Sequence, residues 1–179
     1  MDIYKHKWTK LQSEIFSLIC LKAGEGLSQR DISKFLRVSP TAIANSLGLL
    51  QKDRVISIKR IKNINFISFN RDNKRAIELK RVENLNNLYI SGLVEYLGKG
   101  LVGGTIILFG SYSLGEDTEN SDIDIAVIGR KDKALQLEEF ERLLNRKINI
   151  NFYNSLKEIH ENLRNSILNG IVLEGMVEL

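Results

Sequence analysis

Two aspartates, Asp122 and Asp124, stand at the head of the apolar run IDIAVIG, and ten residues separate Asp122 from the pair Gly110-Ser111 before it. On an extended chain, residues two apart project to the same face, so these two carboxylates sit side by side and repel. An acidic hairpin would explain such a pair, and so would a cation site. A divalent ion between the carboxylates turns the repulsion into ligation. Oxygen-only ligands of this kind suit Mg²⁺ or Mn²⁺ held together with phosphate oxygens. Gly110 lets backbone approach a phosphate closely, and Ser111 can donate a hydrogen bond to its oxygens. Gly115 and Ser121 fall in the polar connection between the two groups.

The elements that must position these groups are legible on either side. TIILFG (105–110) and IDIAVIG (123–129) are short, β-rich apolar runs and read as buried strands. KALQLEEFERLLNR (133–146) predicts a helix, and KININFYN (147–154) a third strand. NSLKEIHENLRNSILNG predicts one amphipathic helix on Leu156, Ile159, Leu163, Ile167 and Leu168, stopped by Gly170 and followed by an apolar tail. Upstream, residues 71–98 have helical periodicity, as one helix or as two broken near Ser91-Gly92, and GKGLVGG then breaks the pattern.

The spacing Gly-Ser, ten residues, Asp-x-Asp between two strands resembles the minimal nucleotidyltransferases of the DNA polymerase beta superfamily. The resemblance implies a small α/β fold with a mixed sheet flanked by helices. It further implies that Gly110, Ser111, Gly115 and Ser121 hold a nucleoside triphosphate and that Asp122 and Asp124 hold Mg²⁺ or Mn²⁺. The implied reaction moves a nucleoside monophosphate, commonly AMP, to a hydroxyl acceptor. Some minimal members are antitoxins that modify a partner toxin, which would make the acceptor a protein. The family usually supplies a third carboxylate from the next strand, and 147–154 contains none. Asn149 and Asn151 stand on the face where it is expected, and Asn151 is the candidate third ligand. An amide oxygen ligates weakly and cannot act as a base. Glu116, Asp117 and Glu119 are conceivable substitutes, His160 a conceivable base, and Tyr112 a conceivable stacking surface.

The front of the chain has a different character. TKLQSEIFSLICLK (9–22) predicts a helix. A turn with a Ser28 cap leads to a second helix with Ile32, Phe35 and Leu36 inward. Ser39-Pro40 then starts a third helix on Ile43, Leu47 and Leu50. RVISIKRIKNINFISFN alternates as strands do, with Lys59, Arg60, Lys62 and Asn63 marking a hairpin tip. Three helices and a basic hairpin resemble a winged helix-turn-helix domain. That resemblance implies double-stranded DNA as partner, with Ser39, Thr41, Ala42, Asn45 and Ser46 facing bases. Arg37, Arg54, Lys59, Arg60 and Lys62 would meet phosphates. Dimerisation through the first or the connecting helix follows from the same analogy.

Bulk properties agree with two modules, residues 1–70 and 71–179, in an α+β chain of 179 residues. Residues 1–80 carry 16 Lys and Arg against 7 Asp and Glu, whereas 81–179 carry 10 against 15. Opposite blocks suggest different partners, phosphate for the first and cations for the second. The polar, basic start MDIYKHKWTK lacks a signal-peptide core, and no apolar run approaches the roughly 20 residues of a membrane span. A lone cysteine, Cys20, excludes a disulfide framework and points to a cytoplasmic protein with Cys20 as packing.

Overall fold

The computed structural model describes residues 8–177; residues 1–7 of the start read for a leader lie outside them. The chain divides into two compact units at Lys80/Arg81. In the first, α1 (Lys10–Leu21), α2 (Gln29–Leu36) and α3 (Pro40–Lys52) precede the hairpin β2 (Ile56–Ile61) and β3 (Ile64–Phe69). A two-residue strand, β1 (Leu27–Ser28), completes the antiparallel order β1-β3-β2, which makes a winged-helix arrangement. Sequence reading placed only a turn at β1, because two residues carry no periodicity.

Local chemistry sets these boundaries. Ser28 and Asp31 form a reciprocal cap on α2, and the bonds from Ser28 hold the Asp31 carboxyl below its usual range. The Ser39 hydroxyl accepts from the Ala42 amide, and Pro40 opens α3. Ile15, Ile19, Ile32, Ile43, Leu50 and Ile67 are fully buried and form the centre of this unit, with Cys20 among them. Phe35, expected inward, is instead 56% exposed. Ile32 and Leu36, four apart, take the inward line of the short α2, and the Phe35 ring lies 5.7 Å from the Lys22 ammonium.

α4 (Lys74–Ile90) carries residues of both units; its first turns place Ala76, Ile77 and Leu79 in the front core. After Ser91-Gly92 comes α5 (Leu93–Gly100), so the two-helix reading of the connector is the one observed. The second unit continues with β4 (Thr105–Phe109), the short α6 (Gly110–Leu114) and β5 (Ile123–Ile128). Then follow α7 (Glu138–Leu144), β6 (Ile148–Tyr153), α8 (Glu161–Leu168) and β7 (Ile171–Glu174). The sheet order is β6-β5-β4-β7, with β5 and β6 parallel and the other pairs antiparallel, a mixed sheet.

The strands alternate between two cores. Ile106, Leu108, Ile123, Ile125, Val127 and Ile148 face the core built with α5, while Ile107, Phe109 and Ala126 face Leu156, Ile159 and Ile167. Asp122 and Asp124 therefore share the face of Ala126, at the end of the sheet where β4 finishes.

Two helical expectations are corrected. The helix expected at 133–146 begins only at Glu138. Ahead of it, Lys133 Nζ donates to the Gly100 carbonyl at 2.9 Å and the Gln136 amide to Tyr96 Oη at 3.0 Å, holding the segment non-helical. The helix expected on Leu156 to Leu168 is a short 3₁₀ turn at Leu156–Glu158, a break, and then α8; Leu163 and Leu168 are exposed. The apolar tail beyond it is the edge strand β7, paired with β4. Gly170 lets the two meet: a Cβ there would lie 2.3 Å from the Leu108 carbonyl oxygen.

Candidate functional site

The site grows from the ends of β4 and β5. Phe109, the last residue of β4, pairs with Asp124, so the chain leaving β4 turns directly beside that carboxylate. It turns through Gly110, at φ 73°, into α6. A Cβ on Gly110 would fall 2.7 Å from Asp124 Oδ2, so the carboxylate occupies the space any side chain would need. Gly110→Ala is therefore expected to cost about 1–2 kcal/mol for the left-handed backbone alone. It also displaces Asp124; a lower melting temperature of the second unit and weakened nucleotide binding are the measurements that check it.

On the other side β6 runs parallel to β5 with Asn149 opposite Asp124. Asn149 Nδ2 lies 3.1 Å from Asp122 Oδ2 and 3.2 Å from Asp124 Oδ1. Asn151, the residue picked from sequence as third ligand, stands two residues further along, opposite Ala126. Both amides share a face, and only the strand register tells which one meets the carboxylates. Among the described residues no group of three or more His, Cys, Asp or Glu side chains is gathered as a metal site.

The loop between the motifs is held from behind. Asp117 is 2% exposed; Arg146 Nη2 lies 3.6 Å from its Oδ2, and Asn84 Nδ2 donates to its Oδ1 at 2.7 Å. Asn84 also donates to the Tyr112 carbonyl at 2.9 Å. Tyr112 itself is buried, and burial first, then the Asp117 charge, pushes its hydroxyl's pKa up. Asp117 and Tyr112 thus face inward, away from the roles of metal ligand and stacking surface that the sequence left open to them. Ser121 accepts from the Thr118 amide at 2.9 Å, fixing the turn before Asp122, and Gly115 closes α6. Ser111 is half-buried at the start of α6. Beside Asp122 an open groove of about 700 Å³ is lined by Ser121, Glu138, Glu141, Arg142 and Lys147 among others. His160 is the exposed residue that precedes α8.

Residues 90–173 match the family model described as the nucleotidyltransferase domain. This part of the chain is a nucleotidyltransferase domain. Its matched span holds the Gly-Ser pair, both aspartates and the strand with Asn149. No curated protein matched the chain. Among solved structures it is similar to two mutants of Lactococcus lactis ZitR, at 20% and 19% identity with TM-scores of 0.41 and 0.42. Those matches cover 54% and 56% of this chain and 64% and 66% of the ZitR chains, less than two thirds of each. It is also similar to S. aureus MepR, solved as a complex with DNA, at 18% identity and TM-score 0.38, over 52% of this chain and 78% of that one.

The front unit carries candidates of its own. Thr41 and Asn45 are exposed one turn apart on α3, and Ser39 caps the same helix. Ser46, grouped with them from sequence, is buried, its hydroxyl donating to the Ala42 carbonyl at 2.8 Å. Lys59, Arg60 and Lys62 are exposed on the wing, and Arg37 and Arg54 are exposed at left-handed turns after α2 and before β2. Among the described residues no helix is long and apolar enough to cross a membrane.

Proposed function

We propose that the chain is a metal-dependent nucleotidyltransferase that moves a nucleoside monophosphate, AMP in the first instance, from a triphosphate to a hydroxyl. The observation that carries the reading is the seating of the Gly110 backbone against the carboxylate of Asp124, beside Asp122. The donor set fits Mg²⁺ or Mn²⁺: two adjacent carboxylates with room for phosphate and water oxygens to complete the shell. With only two acids, Asp122 and Asp124 would hold the ion together with the nucleotide. When bound, such an ion supplies charge neutralisation for the phosphates and the departing pyrophosphate. Gly110 admits the triphosphate against the backbone, and Ser111 donates to its oxygens. The acceptor oxygen bonds to the α-phosphorus as the bond to the bridging oxygen breaks, and pyrophosphate leaves. Asn149 cannot take the acceptor's proton, which passes to water, so transfer is slow. Incubation with Mg²⁺ or Mn²⁺ and α-labelled triphosphates should yield labelled acceptor or labelled chain. Failure to bind any nucleoside triphosphate removes the reading.

The front unit is read as the part that brings this activity to double-stranded DNA. The exposed Lys59, Arg60 and Lys62 on the wing and Thr41 and Asn45 on α3 support that role. Lys59→Glu, Arg60→Glu and Lys62→Glu together should weaken duplex binding across sequences. The slope of log affinity against log salt should flatten by about 0.9 for each phosphate no longer neutralised, which a salt titration measures. Unchanged binding at low salt would remove the role.

Asn149 favours a second reading, a DNA-binding regulator whose nucleotidyltransferase domain binds nucleotide without turnover. It predicts duplex binding altered by nucleotide with no labelled product.

A further inference from the structure

Resting on the nucleotide-binding reading above, we infer that the domain takes one divalent cation, on the Gly110 side of Asp124. The amide of Asn149 closes a second position on the β6 side. Which end of that amide faces the acids is decided by hydrogen bonding. Asn149 reaches Asp122 and Asp124 at once, at 3.1 and 3.2 Å. A carbonyl oxygen in that place would add a third acceptor to two carboxylates, whereas an NH₂ group has one hydrogen for each. Chemistry therefore fixes the nitrogen there.

The two oxygens of Asp124 then have different surroundings. Oδ1 receives the Asn149 N–H, and Oδ2 lies against Gly110, where a Cβ would approach to 2.7 Å. A cation is repelled from the first by the N–H dipole and meets no anion on β6 to offset this. The second oxygen carries no such N–H, and triphosphate oxygens arriving at the Gly110 turn would bring the missing charge. Asn149 also offsets the repulsion of Asp122 and Asp124 when no ion is bound, so the pair is organised without metal. The residue acts through the carboxylates as a positioning residue. An acid in its place would reverse both effects.

The test counts ions instead of turnover. The full chain is titrated with Mn²⁺ in the presence of a non-hydrolysable ATP analogue, and bound Mn²⁺ is read by electron paramagnetic resonance. One ion per chain is expected for the wild type and two for Asn149→Asp. In EDTA, Asn149→Asp should melt below the wild type, and Mn²⁺ with the analogue should raise its melting temperature by more. Two ions on the wild type would overturn the inference and leave the nucleotidyltransferase reading standing. A count of one on both proteins would overturn the role given to Asn149. If the wild type binds neither Mn²⁺ nor the analogue, the functional reading falls and the inference with it. Should Asn149→Asp not fold, the wild-type count still decides, because two ions there are incompatible with a closed second position.

Discussion

Asp122→Asn and Asp124→Asn are each expected to reduce nucleotidyl transfer by at least about a hundredfold, the scale on which loss of one charge-stabilising group acts. Each substitution keeps the volume and removes a negative charge. On the proposed reading the remaining acid and the Asn149 amide leave too little charge to hold an ion and a triphosphate together. The effect on stability should have the opposite sign or be near zero. Two carboxylates at adjacent same-face positions destabilise the native state, and an amide at either one relieves the repulsion. The check is a labelled-nucleotide assay beside a thermal melt. Loss of transfer with an unchanged or raised melting temperature supports the assigned site. Transfer that survives the double substitution overturns it. Loss with a lowered melting temperature would make the aspartates structural. Asp124 is the more sensitive of the two, since it alone has one oxygen on Asn149 and the other against Gly110.

The parts of this site that could be read from sequence are those whose cause is local. The Gly-Ser to Asp-x-Asp spacing lies within 15 residues between β4 and β5, and both strands are apolar runs buried on two faces. Helix α3 announces itself by its Ser39-Pro40 start, and both α1 and α3 by Ile15, Ile19, Ile43 and Leu50 at helical spacing. The rest depends on pairing between distant segments. β7 is a four-residue edge strand whose partner lies more than 60 residues upstream, and only Leu173 of it is buried. Residues 133–137 have helical composition but are held by Gly100 and Tyr96, which no local window contains. The choice between Asn149 and Asn151 needs the β5/β6 register, because period-two alternation puts both on one face. Phe35 and Ser46 show the limit within a helix: periodicity names a face, and packing decides how wide that face is.

From sequence Asp117 reads only as a conceivable substitute acid, and Arg146 gives no signal, since a charged residue after a helix reads as surface. Their side chains are each 1% exposed and face each other at 3.6 Å, with Asn84 completing one carboxylate oxygen. The ion pairs Lys10–Glu14, Lys74–Glu78 and Lys99–Glu95 are exposed and screened by water, so they contribute little. The buried pair differs because removing one member strands the other away from water. Arg146→Met is expected to destabilise the second unit by about 3–5 kcal/mol, a large part of the roughly 5–15 kcal/mol that holds an ordinary domain together. Asp117→Leu with Arg146→Met should recover most of that loss, because apolar side chains of similar volume carry no desolvation penalty. Denaturant unfolding of the four proteins in the double-mutant cycle measures both, on the transition of the second unit. The doubly substituted protein also separates folding from function. Asp117 anchors the loop between Gly115 and Ser121 to the residue just ahead of the Asn149 strand, and the leucine–methionine pair has no directional bond to hold that spacing. Stability near wild type with nucleotide binding reduced several-fold would make Asp117 and Arg146 the frame of the site. If the double variant binds nucleotide as the wild type does, the ion pair serves the fold alone.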